Sequence, residues 1–406
     1  MTNRVWFLVA RVLPIALFIT SCASTTNPTS APRYNVGPGS IQNSPSTEAA
    51  SEDRFLGYNL ILTPFDPGIP ADSNRFEELG IWPELRRTEA VRFPVELQKH
   101  LVNKPTIAKA RIAPNMSAVG HFYLNGEIKK SNGEDVELQI TLTDISGREK
   151  LDRSYRFRVG GYDDPRNTSS NKYAPILVDI ADDIDRALRR VRSRERDSLV
   201  AIEKLRFAEA FQPEYFSQFL RTVRGRTRLL GVPDENDPEF ERINVIYTKD
   251  DLFLDSVQKD YDDFFADSNA PYNTWQEQAY IESKARREAA AAARAKLLGG
   301  LVVAAVGVAA LGDASAYSPE AYTAAAAAVA GAAVALDSSS DFRDAKSHVD
   351  SLNEIGRSVN ADLAPRVMDI EDREIELTGT AEEQYAAWRE YLKQIYIVER
   401  TPNVEL

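Results

Sequence analysis

Cysteine chemistry is the first candidate in this sequence, because Cys22 is the only cysteine among 406 residues. It stands at the end of an apolar run, directly after the small residues Thr20 and Ser21. A thiolate is a strong nucleophile and therefore a site for covalent modification. A buried structural cysteine is the alternative, but the polar tract that follows Cys22 favours a modified thiol. A single cysteine also excludes an internal disulfide.

Residues 1–21 have the pattern of a secretory signal peptide. Arg4 and Arg11 give the segment a positive charge, and residues 12–20 form an uncharged apolar core. Such a core is too short to span a bilayer whose hydrocarbon region is about 30 Å thick. A charged start, a short apolar core and small residues before the cut are typical of export rather than of a transmembrane helix.

The tetrapeptide Ile19-Thr20-Ser21-Cys22 resembles the lipobox of bacterial lipoproteins. The resemblance implies that the Cys22 thiol receives diacylglycerol, that the signal is cut just before it, and that the new amino group is acylated. Two or more acyl chains anchor a protein stably where one does not. Ala23 in place of an aspartate implies sorting to the outer membrane. We therefore predict lipid attachment at Cys22 and a periplasmic position at the outer membrane.

Other residue types give no comparable signal for chemistry. The three histidines, His100, His121 and His348, lack the spacing of metal ligands. No Gly-rich phosphate loop, EF-hand loop or Gly-x-Ser-x-Gly elbow is present. We predict no catalytic residue, no metal and no cofactor, and we expect that the chain is not an enzyme. Four pairs of adjacent aspartates could suggest a calcium site or a glycosidase dyad. In a chain with 61 acidic residues such pairs are also expected by chance. The pairs are Asp163-Asp164, Asp182-Asp183, Asp250-Asp251 and Asp262-Asp263.

The charge of the chain restricts its partners. The net charge is −12, and removing Arg4 and Arg11 with the signal leaves 47 basic and 61 acidic residues, a net charge of −14. General nucleic-acid binding needs a concentrated basic surface, so we predict no nucleic-acid partner. The same charge opposes attraction to anionic lipid, and the acyl anchor is expected to hold the protein at the membrane.

Two segments are predicted after the signal. Residues 22–53 are rich in Ser, Thr, Pro and Asn, with almost no large apolar side chains, and predict a disordered lipidated tether. Residues 54–165 predict an α+β domain. It begins with a strand at 58–63 and a helix at 83–101, for which Pro94 predicts a kink or an early break.

Antiparallel strands are predicted to complete this domain. Residues 136–142 alternate cleanly after Asn132-Gly133, a strong hairpin turn. A further strand is expected at 155–159. The Pro64-Phe65-Asp66-Pro67 strand end, the helix to Leu101 and this hairpin resemble the small α/β modules of curli-secretion-type, TolB amino-terminal and penicillin-binding-protein-activator lipoproteins. Over residues 55–160 the resemblance implies protein–protein contact in the envelope.

Residues 175–290 predict a helical region. Helices are expected at 175–211, 214–228 and 250–266, with a strand or buried loop at 242–247 and a break at Asn269-Ala270-Pro271. Six arginines lie between Arg186 and Arg196. They allow a phosphate-binding face, but interleaved acids favour a solvated, salt-bridged surface.

An Ala/Gly-rich helical hairpin is predicted within residues 291–364. Residues 297–312 and 321–336 are two uncharged stretches separated by a turn, and their small residues allow close helix packing. Sixteen helical residues reach about 24 Å, which is short of a bilayer core. Packing in the core or between subunits is therefore favoured over membrane contact. A helix to about 362 should follow this hairpin.

Residues 365–406 predict a strand and a final helix that packs on the core. The strand is expected at 366–378, and Thr380 to Glu383 forms a capping box at the helix start.

These features together predict an α+β fold: an N-terminal α/β module with antiparallel strands, then a large helical region. The function we expect is that of a structural or accessory subunit of a periplasmic or outer-membrane complex, with envelope proteins or further copies of itself as partners. The alternatives are an oligomeric secretion channel subunit that uses the Ala/Gly hairpin, and a cell-wall enzyme or the activator of one.

Overall fold

The computed structural model has the mixed architecture that the sequence predicts, with a five-stranded sheet followed by a mainly helical part. It describes residues 34–35, 57–76, 81–162, 164, 167, 169–234, 236–310, 366–370 and 373–400.

The central sheet combines parallel and antiparallel pairing. The second strand of the chain, β2, lies parallel to both β3 and β4, and β4, β5 and β6 continue as an antiparallel meander in the order β3-β2-β4-β5-β6. This order confirms the predicted strand, helix and antiparallel run. The strands are β2 Tyr58–Leu62, β3 Ile107–Ile112, β4 Phe122–Ser131, β5 Asp135–Asp144 and β6 Glu149–Arg158.

The predicted turn between β4 and β5 is confirmed. The Asn132 side chain accepts hydrogen bonds from the backbone N–H groups of Glu134 (3.2 Å) and Asp135 (2.7 Å). Gly133 has φ +84°, a conformation that side-chain-bearing residues rarely adopt. After the turn, every second residue of β5 is buried, which is the pattern of a strand with one face on the core.

The first helix, α1 (Pro83–Leu101), packs on the sheet beside α2 (Ala174–Arg189). Of the two alternatives predicted at Pro94, a kink or an early break, the early break is wrong, since α1 continues through this residue. Proline has no N–H for the carbonyl four residues earlier, and that carbonyl, Ala90 O, accepts the N–H of Phe65 at 2.7 Å instead. A tertiary hydrogen bond therefore uses the carbonyl that Pro94 leaves without its helical partner.

The longest element is α5 (Pro238–Ala310), a helix of 73 residues. The strand or loop predicted at 242–247 is wrong, because Ile243 and Ile246 are buried at helical spacing. The break predicted at Pro271 is also wrong. Arg92 donates hydrogen bonds to Phe265 O (3.0 Å) and Asn269 Oδ1 (3.1 Å), in the turn just before the proline.

Between α2 and α5 the chain forms α3 (Ser193–Glu209), the single turn α4 (Pro213–Phe216) and the strands β7 (Leu220–Val223) and β8 (Arg226–Leu229). The helix predicted at 214–228 is wrong. Thr222, Val223 and Thr227 are β-branched and pair across a two-residue Arg-Gly turn, which favours a hairpin over a helix.

The C-terminal part contains a small second sheet and the last helix, α6 (Ala381–Arg400). The single strand predicted at 366–378 is instead a hairpin of β9 (Arg366–Ile370) and β10 (Arg373–Leu377). The capping box is confirmed, since Thr380 N donates to Glu383 Oε2 at 2.8 Å and Glu383 N to Thr380 Oγ1 at 3.2 Å. Tyr385, Trp388 and Leu392 of α6 are buried in the main core.

One strand lies inside the segment predicted to be a tether. Residues Tyr34–Asn35 form β1, which pairs with β9 in parallel, with Tyr34 opposite Met368. The tether prediction did not include this strand. It shortens the chain between Cys22 and the first described contact to eleven residues, 23–33.

The predicted Ala/Gly hairpin is described only in its first half, because α5 reaches Ala310 and residues 311–365 lie outside the described part. The helix predicted to about 362 lies outside it as well. Among the described residues, no helix combines the length and the apolar character needed to cross a membrane.

The contact between the β4–β5 turn and α5 can be tested at Gly133. A Cβ at this position would lie 2.4 Å from the Tyr280 backbone N, and φ is positive, so Gly133→Ala should lower the free energy of unfolding by about 2 kcal/mol or more. Urea denaturation measures the change. Gly161→Ala is the control, because its Cβ meets nothing within 4 Å. Equal midpoints for the two variants would contradict the contact.

Candidate functional site

The predicted lipid-attachment residue, Cys22, lies outside the described residues, as does His348. The two other histidines lie on different elements. His100 lies near the end of α1, where burial and the neighbouring Lys104 lower its pKa. His121 precedes β4 and is 5% exposed. In the described part of the chain, no three His, Cys, Asp or Glu side chains are grouped to hold a metal ion.

Two of the acidic pairs are separated by the ion pairs that they form. Asp182 pairs with Lys104, whereas Asp183 contacts Arg153 at 2.5 Å and accepts the Tyr155 hydroxyl at 2.9 Å. At the other pair, Asp262 lies 3.3 Å from Lys99, and Asp263 pairs with Lys259. Neighbouring carboxylates thus bind different bases and do not face a common substrate position.

Asp250 and Asp251 connect α5 to two different elements. Asp250 is buried and lies 3.2 Å from both Arg389 and the Tyr385 hydroxyl of α6, and burial raises its pKa. Asp251 pairs with Arg111 and with Lys109 (2.5 Å) on β3. Burial acts to raise the Asp251 pKa, but hydrogen bonds from Arg111 outweigh it and leave the pKa lowered. These two carboxylates therefore join α5 to α6 and to β3.

One arrangement resembles a catalytic dyad: the buried cluster of His121, Glu203, Asn59 and Tyr247, where the sheet meets α3 and α5. His121 Nδ1 accepts the Asn59 backbone N–H at 2.8 Å, so the ring proton is on Nε2. Nε2 lies 3.0 Å from Glu203 Oε2, although its N–H is poorly directed for a hydrogen bond. Glu203 Oε1 accepts the Asn59 amide (3.1 Å) and the Tyr247 hydroxyl (3.2 Å).

The geometry closes this cluster to substrate. His121 and Glu203 are only 5% and 3% exposed, and one His121 nitrogen is occupied by backbone. A general base must reach the proton that it removes, directly or through one water. Burial, with the nearby Glu203 charge, raises the pKa of Tyr247 and keeps the hydroxyl neutral. The cluster therefore joins three elements and is not arranged to act on a bound molecule.

A shallow cleft of about 380 Å³ lies beside this cluster, at the β5–β6 turn. Burial raises the pKa of Tyr123 in its wall to about 12. Asp144 is occupied, since it accepts the Ser146 hydroxyl (2.6 Å) and lies 3.1 Å from Lys150. The exposed Arg206 stands at its rim. The cleft could bind a small group but has no activated nucleophile, and its lining is Met116, Val119, Tyr123, Thr143, Asp144, Ile145, Gly147 and Arg206.

The arginines between Arg186 and Arg196 divide into two sets. Three of them form ion pairs: Arg186 with Asp183, Arg189 with Asp185 (2.8 Å) and Arg196 with Asp197 (3.4 Å). The other three are exposed on the surface: Arg190, Arg192 and Arg194.

A second arginine-rich element was missed by sequence reasoning. Arg221, Arg224, Arg226 and Arg228 lie on the β7–β8 hairpin, within the stretch predicted to be helical. The alternation of arginine with Thr and Val, and the Arg-Gly pair between the two halves, were the signals that could have identified it.

Comparison with protein-family models, with curated proteins and with solved structures finds no match to this chain.

The Asp251 ion pairs can be tested by their pH dependence. Asp251→Asn should lower the free energy of unfolding at neutral pH by about 1–3 kcal/mol, because it removes charged hydrogen bonds to a buried arginine. A lowered folded-state pKa contributes stability above the ordinary value of 3.8 and loses it as the pH falls through the folded-state value. The difference between wild type and variant should therefore shrink below pH 3.8.

Urea denaturation across this pH range gives the measurement. Asp262→Asn is the matched control, because Asp262 belongs to a surface pair whose side chains are 46% and 56% exposed. Such pairs contribute little. If Asp251→Asn lowered the free energy of unfolding by the same amount at all pH values, the lowered pKa of Asp251 in the folded state would be contradicted.

Proposed function

We propose that this chain is a lipid-anchored envelope protein that acts as a structural or accessory subunit of a periplasmic or outer-membrane complex. Cys22 carries the anchor in this proposal, and the α+β body with its long helix makes the contacts. The observation that carries the proposal is the continuation of α5 past the last contact with the body that the structure describes.

Along α5, the furthest described contacts with the body are made by Ser283, which donates to Asn132 O at 2.7 Å, and by Arg287, which lies 2.8 Å from Glu134. The helix then continues to Ala310. At 1.5 Å per residue this extension is about 34 Å long. From Leu297 its sequence is uncharged and rich in Ala, Gly and Val, which suits close packing against another helix.

The polar interior also supports a binding role. The three acidic pairs that the structure describes and the His121–Glu203 cluster are committed to ion pairs and hydrogen bonds with other residues, and the cleft holds no activated nucleophile. A cell-wall enzyme would need a base or nucleophile with access to substrate. The α5 extension also fits the second candidate, an oligomeric channel subunit. Mass measurement separates the two, since a monomer at micromolar concentration would contradict a ring.

The anchor can be tested at Cys22. Cys22→Ser removes the thiol, so the protein should no longer float with outer membranes in a density gradient. Ser21→Ala is the control, because a small residue still precedes the cysteine, and this variant should float like wild type. Acyl chains on the purified wild type, detected by mass spectrometry, give an independent readout. A Cys22→Ser protein that floats normally would contradict the anchor.

The assembly role can be tested on α5 itself. A photo-reactive phenylalanine analogue at position 294, an exposed site on the extension, should cross-link to a partner or a second copy in intact cells. The same analogue at position 245, where Val245 is 50% exposed on the body end of α5, is the matched control and should give little product. Cross-linking at position 245 but not at position 294 would contradict the role of the extension.

A further inference from the structure

The β7–β8 hairpin presents two chemically different faces. Leu220 lies opposite Leu229 and Thr222 opposite Thr227, with the two threonine hydroxyls 3.0 Å apart. Leu220 and Thr227 of this set are buried against the body. Because side chains alternate along a strand, the other face carries the opposite set. That outward face consists of Arg221, Val223, Arg226 and Arg228, all of them exposed.

The positive charge of this hairpin is not balanced locally. Residues 215–233 contain four arginines and no acidic residue, in a chain whose net charge is −12. None of the four arginines, which include Arg224 at the turn, makes an ion pair or hydrogen bond through its side chain to another described residue. The other described arginine cluster, at Arg186 to Arg196, has ion pairs for half of its members.

Two features make the arginines unfavourable for the isolated hairpin. Arg221 lies directly opposite Arg228, and like charges in facing positions destabilise a strand pair. Arg224 has φ +50°, a conformation that favours Gly or Asn, although it starts the turn. Neither arrangement improves folding, so both point to a role for positive charge at this surface.

The body holds the hairpin in place. Thr227 N donates to Ser146 O of the β5–β6 turn at 2.9 Å. The Gly225 carbonyl oxygen lies 2.0 Å from the position that a Cβ on Gly147 would occupy. The backbone that carries the arginines is therefore in place before any ligand arrives, which lowers the entropic cost of binding.

From this geometry we infer that the outward face of the hairpin binds the phosphate groups of an anionic membrane surface. Arginine forms bidentate contacts with phosphate. Val223, Leu230 and Val232 beside the arginines are 53%, 61% and 60% exposed, and such apolar groups can enter the lipid interface.

The position of the anchor favours a membrane as the ligand of the hairpin's outward face. This assignment rests on the proposed lipidation of Cys22. Eleven residues, 23–33, join Cys22 to Tyr34, where β1 pairs with the C-terminal sheet. Even fully extended they span only about 40 Å. The body is thus kept close to the bilayer, while its net negative charge is repelled by anionic lipid. A basic hairpin would select which side of the body faces the lipid.

Vesicle flotation tests the inference. The full chain, made by cell-free synthesis so that Cys22 stays unmodified, is mixed with phosphatidylcholine vesicles with or without phosphatidylglycerol. The readout is the ratio of binding to anionic and to neutral vesicles. Arg4 and Arg11 of the signal segment also favour anionic lipid, and because wild type and every variant keep this segment, the difference in the ratio between wild type and variant reports on the hairpin. Wild type should prefer the anionic vesicles, and salt should abolish the preference. In the triple variant Arg221→Gln, Arg226→Gln, Arg228→Gln this preference for anionic vesicles should fall about 100-fold. Each arginine near anionic lipid raises the binding constant about fivefold.

The matched control is Arg190→Gln, Arg192→Gln, Arg194→Gln, which removes the same charge from exposed positions elsewhere and should bind like wild type. Thermal melting checks folding, and the hairpin variant should melt at or above the wild-type temperature because the facing Arg221 and Arg228 are gone. Equal loss in both triple variants, or no preference for anionic vesicles in wild type, would overturn the inference. Binding to polyglutamate in place of vesicles would assign the hairpin to an acidic protein. Because Cys22 stays unmodified, failure here leaves the anchor test untouched.

Discussion

Burial of charge along α1 is the constraint that the rest of the fold has to meet. Arg86, Glu89, Arg92 and Glu96 lie on one side of this helix and are at most 9% exposed. A buried ion costs several kcal/mol unless its partners are well placed. Arg92 meets that requirement on α5: it donates to Ser268 Oγ at 2.5 Å and lies between the Phe265 and Tyr272 rings, at 4.3 and 4.4 Å.

The same contacts fix the position of α5 along α1. Glu89 accepts the Tyr272 hydroxyl at 3.0 Å and the Ser131 hydroxyl at 2.5 Å, so it ties α5 and β4 to one carboxyl group. Burial raises the pKa of Glu89 in spite of the nearby Arg86. A shift of α5 by one residue would leave these charges buried without partners. Such a network contributes specificity of packing more than stability, and it carries the helix through Pro271 in a single register.

The sequence patterns correctly predicted those elements that depend on interactions between residues close together in the chain. The alternation of β5 and the Thr380–Glu383 capping box needed only neighbouring residues, and the structure confirms both. The failures at Pro94 and Pro271 have the opposite origin, because contacts from distant residues act there. Phe65 N donates to the carbonyl that Pro94 leaves without its helical partner, and Arg92 binds the α5 segment just before Pro271. The His121–Glu203 cluster was likewise out of reach, since 82 residues of sequence separate its members. Lipid attachment at Cys22 remains a prediction from the lipobox pattern alone.

The polar groups in the described interior are used for packing. The described carboxylates of the acidic pairs and the His121–Glu203 cluster hold elements together, so chemistry on a substrate would have to displace structural contacts. The three features proposed to act outward use different forces: a covalent lipid at Cys22, close packing of small residues along the α5 extension, and phosphate binding by the arginine hairpin. A tether alone leaves the orientation of the body free. A tether combined with one basic face on an acidic body restricts the orientation of the body at the membrane. With that orientation fixed, the α5 extension would point toward a partner in one direction only.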